Sequence, residues 1–429
     1  MTDKISFQMR NHGNEIMEVI SVTPSLQPTD PAISALEQLT RKFKGLILSL
    51  EPGASIARET YPRLSEISTQ TGFRIVAPAD ATKMILENGR VMFSTVATVD
   101  DALMGIKQGV ETLKNVLGRM ASLPLFNSMA FKSFQKLGEV IKALHKLPEI
   151  KAVFADLEKF LMSEAELAAM IIHTANTNFF ACGGSLTSVG AVISLLGTEG
   201  IQQMLVVRLY EDMVKQLSVS PDLIARGRDT AGISASLATR VRMDRLSMGR
   251  IRLGALLSEI GCFALAATFL DDYTQMLPFA GIAAGTLHEL EHEAYGLDHA
   301  EIGGRMMQEW GFPEYLCRIV SDHHRLSLPT WQKYCRPIFC AQSFLDRRAK
   351  KPFAPFEEEL HSFFPALEES DDPEAIFNLV ERDYVRFLAD LDSQRLAEKV
   401  RIEEAEMTAK KAVMAEKAKS AKPIGRRIF

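Results

Sequence analysis

The chain has 429 residues, 47% hydrophobic and 24% charged, with a formal net charge of −5. That composition excludes a disordered chain, a collagen or a coiled-coil rod, and predicts two or three globular domains at roughly 100 to 200 residues each. With 49 Lys and Arg against 54 Asp and Glu there is no global field to gather nucleic acid or an anionic membrane.

The N-terminal segment lacks the apolar core of a signal peptide. Apolar stretches such as Met276 to Leu287, broken by Pro278, Gly281 and Gly285, fall short of the ~20 residues of a membrane helix, so a cytoplasmic location is expected. Three short apolar runs, Glu15 to Val22, Gly45 to Leu50 and Phe73 to Ala77, read as buried strands. Asp30 to Phe43 and Ser55 to Thr71 have helical spacing between them. The alternation predicts a small α/β domain over residues 1–112. It closes on a helix capped by Thr98, with Ala102, Leu103 and Ile106 on one face.

From about Leu117 strand signals give way to helix punctuation, which predicts a large all-helical domain over 118–347. Ser163 with Glu166 reads as a capping box. Ser188 caps VGAVISLLG, and Gly197 is placed to end that helix. Asp298 with Glu301 opens a further box. Its helix carries Ile302, Met306, Met307 and Trp310, then Gly311 stops it and Pro313 opens the next. Residues 348–429 read as a helical extension, with a solvated, charged stretch from Arg395 to Lys419.

Five cysteines without a Cys-x-x-Cys pair (Cys182, Cys262, Cys317, Cys335, Cys340) predict reduced, buried thiols, and Cys262 and Cys317 sit in apolar helical settings that favour packing over reactivity. Arg226, Arg228, Arg240, Arg242, Arg245, Arg250 and Arg252 cluster in sequence, but the apolar residues between them predict the polar sides of two helices rather than a phosphate-binding patch. His288-Glu289-Leu290-Glu291-His292 satisfies H-E-x-x-H. The following Gly296 and His299 stand one residue out of the register of the longer zinc-protease signature, so the expected role is a polar, solvated helix face.

HTANTNFF (His173 to Phe180), SLTSVGAVISLLGTEGIQQM (Ser185 to Met204) and YGLDHAEIGGRMMQEWGFPEYLCRIVSDHH (Tyr295 to His324) resemble, in this order, three blocks of the HDOD domain, the HD-related output domain of bacterial signalling proteins. The likeness runs from about Leu123 to Arg347. Family positions fall on Asn176, Gly197, Gly261, Asp298, His299, Gly303, Trp310, Pro313, His323 and His324. Each has a plain structural use: Asn176 to satisfy loop backbone, Gly303 and Gly304 for close helix packing, Trp310 as a core anchor.

The related HD phosphohydrolases hold metals with histidines and a His-Asp doublet. Here the doublet position reads Ser258-Glu259, and an upstream ligand position falls at Asp229. The resemblance therefore implies neither catalytic residues, nor a metal, nor another cofactor, with His299, His323 and His324 capping or hydrogen-bonding at helix ends. The alternative is a divergent phosphohydrolase acting on a nucleotide or cyclic dinucleotide, with those histidines, Asp229 and Glu259 as a remodelled metal shell.

GLILSL, IARETYPRLSEISTQTG, FRIVAP and ATKMILENGRVMFSTVATVDDALMGI more faintly resemble the STAS domain of anti-sigma-factor antagonists. The phosphorylatable serine of that family has no counterpart in Ile56 to Thr60, and the nearest hydroxyls are Ser55, expected as a helix cap, and Thr60. A receiver-like domain is the rival reading. The expectation is thus an α+β multidomain signalling protein, an STAS-like α/β module followed by an all-α HDOD module, acting on protein partners. Self-association stays open. A tail that binds nucleic acid or membrane surfaces predicts a salt dependence lost on removing Arg395 to Phe429.

Overall fold

A computed structural model describes residues 7–21, 25–70, 72–77, 95–128, 165–176, 186–217, 220–277, 286–324, 329–350 and 377–389, together with scattered residues between 131 and 162. Ser163, Cys182, the segment ATKMILENGRVMF, the Pro278 to Gly285 stretch and the Arg395 to Lys419 tail lie outside the described residues. Two compact units divide the chain, Met1–Asp371 and Asp372–Phe429, and the second contains a helix over 377–389.

The N-terminal region is built on a mixed sheet in the order β1-β2-β4-β6-β7. Its strands are β1 (Phe7–Asn11), β2 (Ile16–Ser21), β4 (Gly45–Leu50), β6 (Gly72–Val76) and β7 (Thr95–Val96). β1 pairs antiparallel with β2 through a turn at Gly13, whose φ of 108° suits glycine, and the remaining pairs are parallel. Val19, Leu48 and Ile75 stand in register across three strands. The period of two sorts β4 onto both faces. Leu46 and Leu48 join a core with helices α1 (Pro31–Leu39) and α2 (Tyr61–Gln70), while Ile47 meets Ala102 and Ile106 of α3 (Val99–Ala121) on the other face.

One local expectation is corrected. Ser55 caps no helix; Ser55–Ile56 form β5, paired with β3 (Ser25–Leu26), and α2 begins only at Tyr61 after a single 3-10 turn. The Leu26 carbonyl holds this segment, accepting from the Ala57 amide at 2.9 Å and the buried Thr60 hydroxyl at 3.0 Å.

Helix α3 starts at Thr98, whose hydroxyl accepts the Asp101 amide at 3.1 Å. At 1.5 Å per residue it is about 35 Å long. Its first half packs under the sheet through Ala102 and Ile106, and its second half supplies Val116 and Met120 to the core of the helical region. The helix therefore runs without a break through the interval between residues 112 and 118.

The helical region comprises α4 (Ala165–Ala175), α5 (Val189–Gln216), α6 (Pro221–Arg240), α7 (Arg245–Leu257), α8 (Ile260–Thr268), α9 (Leu270–Met276), α10 (Leu287–Tyr295), α11 (His299–Glu309), α12 (Glu314–Asp322) and α13 (Pro329–Arg348). Ser188 caps α5 as expected. Gly197, at φ 67° and ψ −172°, ends the first helical stretch as expected, and α5 is two helices joined at that kink. Val189–Gln216 and Leu246–Thr268 are long and apolar enough to cross a membrane, but 50% and 78% of their most apolar windows are buried inside the fold.

Candidate functional site

Three helix junctions bring histidines to one place. Gly296, left-handed at φ 73°, ends α10, and Asp298 starts α11 with a reciprocal capping box: its carboxylate accepts the Glu301 amide at 2.8 Å while Glu301 accepts the Asp298 amide at 3.2 Å. His299 is thereby the first residue of α11. Its backbone amide and its Nδ1 both face one oxygen of Glu291, at 2.8 and 2.5 Å. The other Glu291 oxygen accepts the Tyr273 hydroxyl at 2.6 Å, and the whole carboxylate is 0% exposed.

His323 follows α12 as its C-cap, and its Nδ1 donates to the Val320 carbonyl at 2.7 Å. That bond fixes the tautomer, because a carbonyl only accepts; the lone pair of the neutral ring is left on Nε2. The ring is fully buried and His323 Nε2 has no hydrogen-bond partner among the described residues. His324 lies beside it with ring centroids 3.9 Å apart, and its Nε2 is 2.9 Å from His299 Nε2. The His288 ring lies 4.9 Å from that of His324, tilted by 34°.

Burial sets the charges. Desolvation, reinforced by His299, lowers His323 to about 3 and His288 to about 4, and His324 moves down for the same first reason. For His299 burial also acts downward, but Cys262 and Glu291 act upward and prevail. The Cys262 thiol is itself pushed up to about 12 by burial, so the Glu291 carboxylate is the charge that matters.

The Ser258-Glu259 position lies between α7 and α8. Burial would raise the Glu259 pKa, yet Arg226, then His299 and His323, hold it down at about 2. One Glu259 oxygen accepts from Arg226 Nε at 3.1 Å and Gln342 Nε2 at 3.0 Å, and the other from the Cys262 thiol at 3.3 Å. Arg226 also forks onto Asp346, with bonds of 2.8 and 3.2 Å. Ser258 donates to the Ala255 carbonyl at 2.9 Å and accepts from Gln342. Asp229 pairs with Arg228 at 3.0 Å. For a metal shell, Glu259, Cys262 and His299 bring ligand atoms within 4.8 Å of one another, but both Glu259 oxygens already accept hydrogen bonds, one of them from a guanidinium. The imidazole half fits better, since its donors converge and one nitrogen is unsatisfied.

Other predicted residues fall into place as scaffold. Asn176 bonds the Ile172 and Leu186 carbonyls and the Leu186 amide, all at 2.8 Å. A Cβ on Gly261 would stand 1.9 Å from the His299 carbonyl, so α8 and the start of α11 touch backbone to backbone; one on Gly303 would crowd Ile260 and Val320 at 3.0 Å. Trp310 packs on Phe126 at 4.8 Å, and Pro313 precedes α12. The arginine cluster turns inward in part: Arg226 as above, and Arg250 onto Glu199 at 2.8 Å.

The H-E-x-x-H helix is not the solvated face expected of it. His288 bonds Thr286 at 2.8 Å, His292 sits 3.5 Å from Glu301, Glu289 caps its own helix, and Glu291 points into the core. The two histidines thus serve different neighbours, and His292 groups with Asp298 and Glu301, their ligand atoms within 4.8 Å of one another, rather than with His288. Glu291 is the residue that sequence reasoning missed; Arg226 was seen only as part of a basic cluster.

Residues 132–326 match the family model of the HDOD domain. The chain carries an HDOD domain. No curated protein matches the chain. Among solved structures, it is similar to an HDOD domain protein of unknown function from Geobacter sulfurreducens, with 16% identity over 66% of this chain and 98% of that one and a TM-score of 0.45. A candidate phosphohydrolase from Shewanella amazonensis gives 16% identity, 59% and 94% coverage and a TM-score of 0.40. A candidate signal transduction protein from Marinobacter aquaeolei gives 16%, 90% and 91%, and 0.44.

Proposed function

We propose that this chain is a non-catalytic cytoplasmic signalling protein of bacteria, whose HDOD domain acts by binding a protein partner and whose α/β region serves as an STAS-like input module. The observation that carries the reading is the Arg226–Glu259–Asp346 array. In a metal hydrolase the doublet carboxylate holds the ion that makes the nucleophile. Here an arginine neutralises it, and removing that carboxylate from service removes the nucleophile.

Transduction needs a physical link between input and output, and α3 and β6 together supply one. Gln108 and the buried Arg74 donate to the Ala294 and Gly296 carbonyls, and Gly109 packs on the same corner. That corner leads directly into Asp298 and His299, so a shift in the α/β region reaches the HDOD core through three residues.

The test is turnover. The full chain, loaded in turn with Mn²⁺, Fe²⁺ and Mg²⁺, is offered phosphate monoesters, nucleotides and cyclic dinucleotides. The expected result is no hydrolysis above background, with in-cell crosslinking to the same partner protein retained in His323→Ala. Hydrolysis abolished by His323→Ala would establish the phosphohydrolase instead.

A further inference from the structure

We propose that the edge strand β1 pairs antiparallel with β1 of a second copy of this chain, joining two sheets across a two-fold axis at Met9. The two edges of the sheet differ. β7 has two residues, which is one of the ways a fold blunts an edge. β1 has five, keeps an unbroken register with β2 and contains neither proline nor lysine. Gln8, Met9, Arg10 and Asn11 are all exposed.

The register shows which backbone groups are unused. The His12 amide donates to the Ile16 carbonyl at 3.0 Å, so the hydrogen-bonded pairs with β2 are His12–Ile16, Arg10–Glu18 and Gln8–Ile20. The amides and carbonyls of Phe7, Met9 and Asn11 therefore point away from the sheet. Met9 also ends a row: Val19, Leu48 and Ile75 stand beside it in register and are each 0% exposed, whereas Met9 is 55% exposed. The buried row runs out to the edge on an apolar side chain left in water, and a further strand would cover it.

Self-complementarity selects a second copy as that strand. A two-fold at Met9 forms two hydrogen bonds at each of the pairs Met9–Met9, Phe7–Asn11 and Asn11–Phe7. It also sets Arg10 opposite Gln8 of the other copy, whose amide oxygen accepts. Arg10 lacks such an acceptor at home, because Glu18 beside it is already shared by His12 at 2.7 Å and Ser49 at 2.6 Å. A two-fold at Arg10 would oppose two guanidiniums directly, and one at Gln8 would run Asn11 past the end of β1. The pairing rests on the sheet alone and is independent of the role proposed for the HDOD domain.

The experiment is sedimentation equilibrium of the full chain over a concentration series. A reversible dimer is expected, and a weak one, since a five-residue strand pair buries less than a standard interface. Met9→Pro removes the outward amide while leaving the bonds to β2 in place, and raises the dissociation constant by about 10-fold or more. Met9→Lys opposes two ammonium groups on the axis and acts in the same direction. Met104→Lys, at a methionine of α3 that is 67% exposed, leaves the dimer unchanged. Circular dichroism checks each fold; should Met9→Pro fail to fold, Met9→Lys carries the test. Met9→Cys treated with a short bismaleimide is captured as a dimer far faster than Met104→Cys. A chain that stays monomeric throughout, a dimer as tight in Met9→Lys as in the parent, or equal crosslinking of the two cysteine variants overturns the pairing, and the first of these would leave the edge to a strand of another protein.

Discussion

Two halves of one buried polar cluster are finished in opposite ways. Around Glu259 both carboxylate oxygens have donors in Arg226, Gln342 and Cys262, Arg226 forks onto Asp346, and the atom left bare among the described residues is a neutral amide oxygen, Gln342 Oε1. Around His299 the rings converge, the outer nitrogens of His299 and His323 are committed, and His323 Nε2 is left bare among the described residues. An interior tolerates unpaired charge far worse than an unpaired neutral atom, so the salt-bridged half carries the larger energies and the imidazole half the smaller ones.

The sharpest way to break that contrast is Arg226→Met. It strands a buried carboxylate without its counter-charge, and the expected loss is about 3 to 5 kcal/mol in urea unfolding. Adding Glu259→Gln to the same chain should recover part of the loss, since the stranded charge is then gone. Equal instability of the single and double variants would mean that Arg226 acts through packing alone.

Acid sharpens the same half. The Glu259 pKa lies at about 2 in the folded protein against an ordinary 4.5, so the unfolded chain takes up the proton first as pH falls. Its stabilisation is therefore complete above pH 4.5 and is lost between 4.5 and about 2, an order of about 3 kcal/mol over that window. Stability of Glu259→Gln measured against pH should be flatter than the parent by that amount, and parallel curves would place the acid sensitivity elsewhere.

The link between the α/β region and the histidines is weaker. Arg74→Ala removes the donor to the Gly296 carbonyl, and leaving that buried acceptor bare costs about 1 to 3 kcal/mol. The effect should also be local: amide hydrogen exchange at residues 291–299 quickens more than in α13. Uniform exchange would show that the corner is not held from the α/β side.

What was legible in the chain was local. Thr98, Ser188 and Asp298 announce helix starts because a cap and its amide lie within three residues, and Gly45 to Leu50 announces a strand because it is a short continuous apolar run, as a strand buried on both faces requires. The three motif blocks likewise name the HDOD domain from contiguous words. The cluster's chemistry was not legible, because its partners are remote: Arg226 meets a carboxylate 33 residues away and another 120 residues away. Glu291 hid inside a sequence that looks hydrophilic, Leu287 to Tyr295, because the partners that bury it, Tyr273 and His299, lie on other helices. Ser55 misled because β3 captures its segment before α2 can begin.

The smallest expected effect tests the open half most directly. His323→Phe keeps a planar ring in the same space, and it removes both the Nδ1 bond to Val320 and the bare Nε2. The lost bond is worth about 1 kcal/mol, and relieving an unpaired buried nitrogen returns a similar amount. The protein should therefore change by less than about 1 kcal/mol, far below Arg226→Met. A phenylalanine variant destabilised by several kcal/mol would mean that the Val320 bond anchors the end of α12, and a stabilised one that the bare nitrogen is a net cost to the fold.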